Sequence, residues 1–226
     1  MKIIFVVATR LTYEAFTKDA ALAKSLAMYD SENIEIVLYP ENTHGLPRVY
    51  NHAMGNLGAQ DDIVIFCHDD IYLLDFYWID NLIVGLERFD IVGLAGNRTR
   101  VKNQPSWLFK DAALKDIDFA SLSGMVAHGK SLPPTSLSIY GPPLQEVELL
   151  DGVFLACRAG LLAKHQLRFD ELFEFDFYDL DFCRTARQKG LRLGTLMTSV
   201  MHESAGNFGI SAWQKAMANY LLKWGD

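Results

Sequence analysis

The sequence has few cysteines, a shortage of positive charge and no long apolar run, and each of these excludes a class of protein. Its three cysteines, Cys67, Cys157 and Cys183, form no CxxC pair. We therefore expect small buried side chains in a reducing compartment, rather than a disulfide framework or a zinc knuckle. The net charge of −7 argues against sequence-independent binding to nucleic acid, which needs lysine and arginine to neutralise phosphates.

Hydrophobic runs are too short for a membrane span. No apolar stretch approaches the roughly 18–20 residues that cross a bilayer. The N-terminal run Ile3–Ala8 stops at Thr9 and Arg10, with no cleavage-type sequence behind it, so it does not read as a secretion signal. These observations predict a cytoplasmic protein.

Strand-like and helix-like segments alternate through the first 97 residues. Continuous apolar runs predict four buried strands, at Lys2–Thr9, Ile34–Pro40, Asp62–His68 and Asp90–Asn97. Helical spacing predicts helices between them, at Tyr13–Met28, Pro47–Leu57 and Asp75–Phe89. This order predicts an α/β fold with a Rossmann-like, mostly parallel central sheet and helices on both faces. Ligands of such sheets bind beyond the carboxyl ends of the strands.

The second half of the chain has a different texture. Residues 98–144 hold five of the seven prolines, which predicts long loops of a lid or binding region, with a short strand near Ser123–His128. The remaining segments predict a strand pair or one bent strand, a helix closed by a glycine, a further strand and a final helix; they are Val147–Cys157, Tyr178–Lys189, Leu191–Val200 and Ser211–Trp224.

Three ionisable residues, His68, Asp69 and Asp70, follow directly on the third predicted strand. While the backbone stays extended, residues two apart share a face, so His68 and Asp70 point together and Asp69 points away. Oxygen and imidazole ligands at this edge suit Mg²⁺ or Mn²⁺ better than a soft metal. The alternative is that both carboxylates only cap the following turn or helix.

Two acids open the helix that begins at Tyr178. Helical neighbours are about 100° apart, so Asp179 and Asp181 cannot face one place. The position of Asp179 on the apolar side predicts a working carboxylate, with a helix cap as the alternative. Asp181 lies over Arg184 and Thr185, which predicts a solvated ion pair.

Other polar residues follow predicted strands. His202 comes just after Leu191–Val200 and gains a functional meaning only if the fold brings it near Asp70. Arg10 follows the first strand and is able to pair with a diphosphate, although a single arginine is more often a surface charge.

Taken in order, these residues resemble the inverting GT-A glycosyltransferases of the family 2 type, in particular their short glycosyltransferase-like branch. The matching pieces are Gly45–His52, His68-Asp69-Asp70 in place of Asp-x-Asp, the segment with Asp151, Gly152 and Arg158, Tyr178–Asp181 followed by Arg184 and Gly190, and a late His202. Two positions depart from the family pattern: His68 replaces its first Asp, and Tyr178 stands where it often has Glu.

The resemblance implies a role for each matched residue. Asp70 and His202 would hold the metal that bridges the donor diphosphate, and Asp179 would be the general base. The nucleoside side is assigned to a larger set, namely Thr9, Arg10, Asn51, His68 and Asp69. The chain would then be one domain over 1–226, with a nucleotide-binding half at 1–97 and an acceptor-side half at 98–226.

The implied reaction is inverting transfer from a nucleotide-diphosphate sugar, with a UDP-sugar as the first guess, to the hydroxyl of a saccharide or lipid-linked acceptor. Mn²⁺ or Mg²⁺ would be the cofactor. Trp107 and Tyr140 would offer a face to a sugar ring, or simply pack. An apolar stripe on the last helix would contact a membrane or a second subunit, with core packing as the default; its members are Trp213, Met217, Tyr220, Leu221 and Trp224.

Two other functions compete with transfer. A sugar-nucleotide nucleotidyltransferase normally has a glycine-rich basic loop after the first strand, and Ala8–Thr12 contains no glycine. A non-catalytic module that binds a nucleotide sugar or a partner would explain the departures at His68 and Tyr178.

Overall fold

A computed structural model of the chain describes residues 1–29, 32–204 and 208–225. Strands are numbered in chain order. The larger sheet has seven strands in the order β2 (Ile34–Tyr39), β1 (Ile3–Ala8), β3 (Ile63–Cys67), β11 (Phe154–Arg158), β5 (Ile91–Gly93), β12 (Leu193–Thr195) and β9 (Glu146–Val147). Strands β1, β2, β3, β5 and β12 run in one direction, and β11 and β9 run against them. The prediction of a mostly parallel central sheet is therefore confirmed.

A second sheet lies beside the first. Its order is β10 (Leu149–Leu150), β6 (Ala95–Asn97), β7 (Leu122–His128), β13 (Val200–His202) and β4 (Ile71–Leu73), and β8 (Ser136–Gly141) pairs with β7. Three predicted segments pass between the sheets, which the sequence did not indicate. Val147–Cys157, predicted as a strand pair or one bent strand, divides into the end of β9, then β10 in the second sheet, and then β11 in the larger one. Asp90–Asn97 divides at Leu94 into β5 and β6, and Leu191–Val200 divides into β12 and β13.

The helices follow the predicted segments with shifted ends. They are α1 (Tyr13–Asp19), α2 (Ala21–Leu26), α3 (Leu46–Met54), α4 (Trp78–Arg88), α5 (Ala159–Lys164), α6 (Tyr178–Gln188) and α7 (Ser211–Trp224), with a 3₁₀ turn at Phe119–Ser121. The single helix predicted over Tyr13–Met28 is wrong, because Ala20 is extended at φ −64° and ψ 137° and separates α1 from α2. Among the described residues, no helix is long and apolar enough to cross a bilayer.

Strand β11 holds the centre of the larger sheet. It lies antiparallel between β3 and β5, and its five residues are buried except for Arg158. Its register puts Phe154 opposite Cys67 and Arg158 opposite Ile63. The chain just before β11 therefore reaches the same edge at which β3 ends, while Arg158 lies at the far end of both strands.

Buried side chains confirm two expectations and correct a third. The three cysteines are free and buried. The stripe on α7 packs against the core, with Trp213 and Tyr220 almost fully buried, so a membrane or subunit contact through this helix stays a prediction. Asp181 is not solvated: it is 1% exposed.

The correction at Asp181 has a clear structural cause. Helix α7 covers this face of α6, and Lys223 Nζ lies 2.7 Å from the Asp181 carboxylate, with Trp224 Nε1 donating to it at 2.9 Å. Arg184, the expected partner, instead stacks over the Trp224 ring at 4.2 Å. A buried acid of this kind stays ionised only because it is paired.

Candidate active site

The loop His68–Asp70 is held on both sides at the carboxyl edge of the larger sheet. The His68 amide donates to Val153 O at 3.1 Å, and the Glu203 amide donates to Asp70 O at 3.0 Å. Strand β13 pairs antiparallel with β4 so that His202 lies opposite Ile71. Residues 70 and 202 are brought together by this pairing, although 132 positions separate them in the chain.

Three side chains converge here. The ligand atoms of His68, Asp70 and His202 all lie within 4.8 Å of one another. His202 Nε2 is 3.2 Å from Asp70 Oδ1, and His68 Nδ1 is 3.9 Å from the same oxygen. That oxygen is buried and lacks a partner with the geometry of a hydrogen bond. Two imidazoles around an unsatisfied carboxylate oxygen fit a divalent cation.

Charge in the cluster favours an ionised Asp70. Burial opposes ionisation, but the contact with His202 and the charge of that imidazole outweigh it, so the pKa of Asp70 lies below its ordinary value. Burial lowers the pKa of His68, which keeps this imidazole neutral. An ionised carboxylate and a neutral imidazole are the forms that bind metal. Although burial opposes it, the contact with Asp70 raises the pKa of His202, so a metal ion would displace a proton from that imidazole.

Tyr178 fixes the orientation of His68. Its hydroxyl donates to Gly152 O at 2.8 Å and lies 3.3 Å from His68 Nε2. A phenol has one hydrogen, which goes to Gly152, so the contact requires a hydrogen on Nε2 and leaves the Nδ1 lone pair directed toward Asp70. The ring of Phe175 stacks on His68, with centroids 5.6 Å apart. Tyr178 and His68 are the two positions that depart from the family pattern, and the hydroxyl of Tyr178 thus holds the ring of His68 in place.

Asp179 lies at the first turn of α6, as the sequence predicted. Its Oδ2 accepts from the Gly152 amide at 3.0 Å and its Oδ1 accepts from the Leu180 amide at 2.9 Å. Burial and, after it, the charge of Asp151 raise the pKa of Asp179 to about 7. A carboxylate with this pKa is able to take a proton near neutral pH.

Gly152 is required by the close approach of these residues. A Cβ added there would lie 2.5 Å from Tyr178 Oη and 2.8 Å from Asp179 Cβ. We expect Gly152→Ala to lower the free energy of unfolding by about 1–3 kcal/mol, because overpacking displaces both side chains. Urea denaturation measures this. Gly55→Ala is the matched control, since its backbone is helical and its new Cβ meets only His52 O at 3.4 Å; an equal loss in both variants would contradict the close packing.

The residues predicted for the nucleoside lie in three places, and one of them, His68, belongs to the cluster with Asp70 and His202. The Thr9 hydroxyl donates to the Asp69 carboxylate and accepts from the Leu11 amide at 3.1 Å, so Thr9 and Asp69 form one site next to the exposed Arg10. Asn51 does not join them. Its side chain holds the segment 169–171, donating to Phe169 O at 2.8 Å and accepting from Phe169 N at 3.0 Å. A contact between Asn51 and a nucleoside stays a prediction without geometric support.

A cavity of about 400 Å³ opens from the cluster of His68 and His202 toward the second sheet. His68, His202 and Asp179 line one part of it, and Trp107 and Tyr140 line another, with their rings in an edge-to-face contact at 4.9 Å. The volume lies within the roughly 300–1,000 Å³ of small-molecule sites. Side chains predicted from distant stretches of sequence therefore share one cavity.

Sequence reasoning missed several residues of this cavity. His128 ends β7 as His202 ends β13, so the same strand-end signal would have identified it; its Nε2 lies 2.9 Å from Ser138 Oγ. Asp151 lines the cavity, and it was assigned only to a matched segment with no role. Phe175 gave no signal. Arg158, from that same segment, bonds Asp61 O at 3.3 Å, away from the cavity.

Comparisons with known proteins agree with this geometry. The chain matches the Glycosyltransferase like family over residues 5–216, and no curated protein matches it. Among solved structures, it is similar to S. aureus TarS, with 14% identity and a TM-score of 0.53 over 98% of this chain and 43% of TarS. It is also similar to TarS 1–349 in complex with UDP-GlcNAc, with 14% identity and a TM-score of 0.52 over 98% of this chain and 67% of that chain.

A third similar structure is GalNAc-T7 with UDP, GalNAc and Mn²⁺, with 10% identity and a TM-score of 0.55 over 98% of this chain and 48% of that one. At these identities the likeness shows the fold alone, and the chain spans less than half the length of full TarS or GalNAc-T7. The predicted GT-A fold is confirmed. Because the family match covers nearly all residues, the protein belongs to the Glycosyltransferase like family.

Proposed function

We propose that the protein is an inverting glycosyltransferase that moves a sugar from a nucleoside-diphosphate donor to an acceptor hydroxyl, with Asp179 as the general base. One observation carries this proposal. Two imidazoles of the His68–Asp70–His202 cluster and the Asp179 carboxylate face one cavity. The family match and the GT-A fold support transfer from a nucleotide sugar over the alternatives.

The chemistry begins with the acceptor hydroxyl, which is a poor nucleophile at neutral pH. Asp179 takes its proton while the hydroxyl oxygen forms a bond to the anomeric carbon of the donor. The bond from that carbon to the diphosphate breaks on the opposite face, so the nucleoside diphosphate leaves and the anomeric configuration inverts. A divalent ion bound by His68, Asp70 and His202 would stabilise the negative charge that develops on the leaving group.

The donor side of the proposal follows from the Thr9–Asp69 site and from the related structures. TarS 1–349 was solved with UDP-GlcNAc and GalNAc-T7 with UDP and Mn²⁺, and we take a UDP-sugar as the donor of this protein. Two imidazole nitrogens among three ligands make Mn²⁺ a better fit than Mg²⁺, which prefers oxygen. A saccharide or lipid-linked acceptor completes the reaction.

A thermal-shift screen tests the proposal. UDP-, GDP-, dTDP- and CDP-sugars are each added with Mn²⁺, with Mg²⁺ or with EDTA. We expect a UDP-sugar with Mn²⁺ to raise Tm by about 5–10 °C at about 100 times its Kd, with a smaller shift in Mg²⁺ and little in EDTA. No shift with any donor would contradict the proposal, and a shift without measurable transfer or donor hydrolysis would favour a non-catalytic binding module.

A further inference from the structure

One wall of the cavity, formed by Trp107 and by residues of β7 and β8, has no role in the proposed mechanism. Of the residues predicted for the nucleoside, His68 lines the cavity, but Thr9, Arg10, Asn51 and Asp69 are not part of its lining. From His68 and His202 the cavity instead extends to Trp107 and to strands β7 and β8. With the donor on the Thr9 side of the metal cluster, this wall is what an acceptor molecule meets.

The wall carries groups that suit sugar hydroxyls. Side chains alternate between the two faces of β8. Ser138 and Tyr140 point toward the cavity. Leu137 and Ile139 lie on the other face and are 55% and 65% exposed. The Ser138 hydroxyl lies 2.9 Å from His128 Nε2, and both groups are able to accept and donate hydrogen bonds. A polyhydroxylated ligand finds several partners here without any charge of its own.

Aromatic surface borders the same space. Phe175 stacks on His68 through one face and is 54% exposed, so its other side is open where the cavity meets the metal cluster. Tyr140 is held edge-on against Trp107. A sugar ring presents an apolar face of C–H groups, and packing of that face on an open aromatic ring removes apolar surface from water.

The carboxylates of the lining have no lysine or arginine beside them. Three carboxylates, from Asp151, Asp176 and Asp179, line the cavity, and no lysine or arginine does so within the described ranges. None of the three makes an ion pair in the part of the chain that the structure describes. His202 also lines the cavity, but its imidazole is already paired with Asp70 at 3.2 Å. An added carboxylate beside Asp151 and Asp176 would therefore meet like charges, in a space partly closed to water.

We infer that the cavity takes an uncharged sugar as the acceptor and rejects sugars that carry a carboxylate. The inference rests on the proposed function, since it assigns the acceptor of the same site. Phe175 supplies the platform for the ring, the β7–β8 wall binds hydroxyls, and Asp176 acts as the group that excludes anions. Asp176 suits this role because it lines the cavity and its side chain makes no hydrogen bond or ion pair within the described residues.

The test compares two probes that differ only at C6, 4-nitrophenyl β-glucoside and 4-nitrophenyl β-glucuronide, by calorimetric titration of the protein loaded with UDP and Mn²⁺. We expect the glucoside to bind and the glucuronide to bind at least about tenfold more weakly. Asp176→Asn should lower the ratio of the glucuronide Kd to the glucoside Kd by about threefold or more. Asp80→Asn, on an exposed helical turn, should leave this ratio unchanged. Phe175→Leu should weaken both probes, unlike Phe119→Leu at a 61% exposed position elsewhere.

Each outcome bears on one claim. Equal or tighter binding of the glucuronide, an unchanged ratio in Asp176→Asn, or no binding of either glycoside while UDP still binds would overturn the inference. Discrimination between the probes in a protein that binds no nucleotide would support the acceptor pocket and count against the proposed function. UDP binding is measured in parallel, so a failure of the acceptor inference is distinguishable from a failure of the proposed function.

Discussion

Asp179→Asn is expected to lower the rate of sugar transfer by about 10²- to 10⁴-fold while leaving donor binding intact. The amide keeps the size of the side chain and an oxygen that accepts from the Gly152 amide, now 3.0 Å from the carboxylate. It cannot take the proton of the acceptor hydroxyl. The rate is measured under saturating donor and acceptor, and the donor affinity by titration with a UDP-sugar and Mn²⁺.

Stability provides the control for this substitution. The pKa of Asp179 is raised to about 7, above the unfolded value near 4, so the ionised carboxylate costs the folded state stability above pH 7. The amide oxygen replaces one of the two acceptors of Asp179, so the hydrogen bond from the Leu180 amide is lost. Removal of the ionisation cost offsets this loss, and Asp179→Asn should stay within about 2 kcal/mol of the wild type at about pH 8. Undiminished turnover would show that the base is another group, whereas lost turnover with lost stability would leave a structural defect as the cause.

The same pKa predicts the pH dependence of the wild type. The base works only when it is deprotonated, so kcat should rise with pH and level off above about 7, falling toward tenfold per unit on the acid side. The Asp179→Asn variant should lack this acid limb in its residual rate. A wild-type profile that is flat down to about pH 5 would contradict the assignment.

Asp70→Asn is the second substitution with a large expected effect. In the proposed metal site, Asp70 is the anionic ligand between two imidazoles, and its Oδ1 lies 3.2 Å from His202 Nε2. Changes in the groups behind metal ligands alone cost about 10- to 100-fold in affinity, so loss of the ligand charge should weaken Mn²⁺ binding by more than about 100-fold. Donor binding in Mn²⁺ should fall to the level seen in EDTA. Mn²⁺ affinity is measured by electron paramagnetic resonance of the free ion.

Glu203→Gln is the matched control for the charge. Burial and, after it, the charge of Asp70 raise the pKa of Glu203. Glu203 nevertheless lies outside the group of side chains that are close enough to share an ion. Its neutralisation should change Mn²⁺ affinity by less than about fivefold. Equal losses in both variants would mean that the region binds Mn²⁺ through its overall negative charge and not through a ligand at position 70.

The sequence located the site better than it located the sheets. His68, Asp70 and Asp179 were found because a polar residue directly after a buried strand, or on the inner side of a helix start, is a local signal. His202 was found in the same way, but its meaning depended on β13 pairing with β4, which involves residues about 130 positions apart. The resemblance to a known family supplied the link that local patterns lack.

Long-range packing explains the errors. The second sheet takes its strands from five separate parts of the chain, and three of these strands, β6, β10 and β13, continue strands of the larger sheet. No local pattern marks where such a strand changes sheets. Likewise, Asp181 reads as a surface acid on α6, and only the docking of α7, with Lys223 and Trp224, buries and pairs it.

The most direct test of the central claim is anomalous diffraction from crystals grown with Mn²⁺ and UDP. We expect one strong manganese peak bound by His68, Asp70 and His202, in contact with the diphosphate of UDP and facing the cavity that Asp179 lines. A manganese ion bound elsewhere, or UDP bound away from these three side chains, would contradict the account.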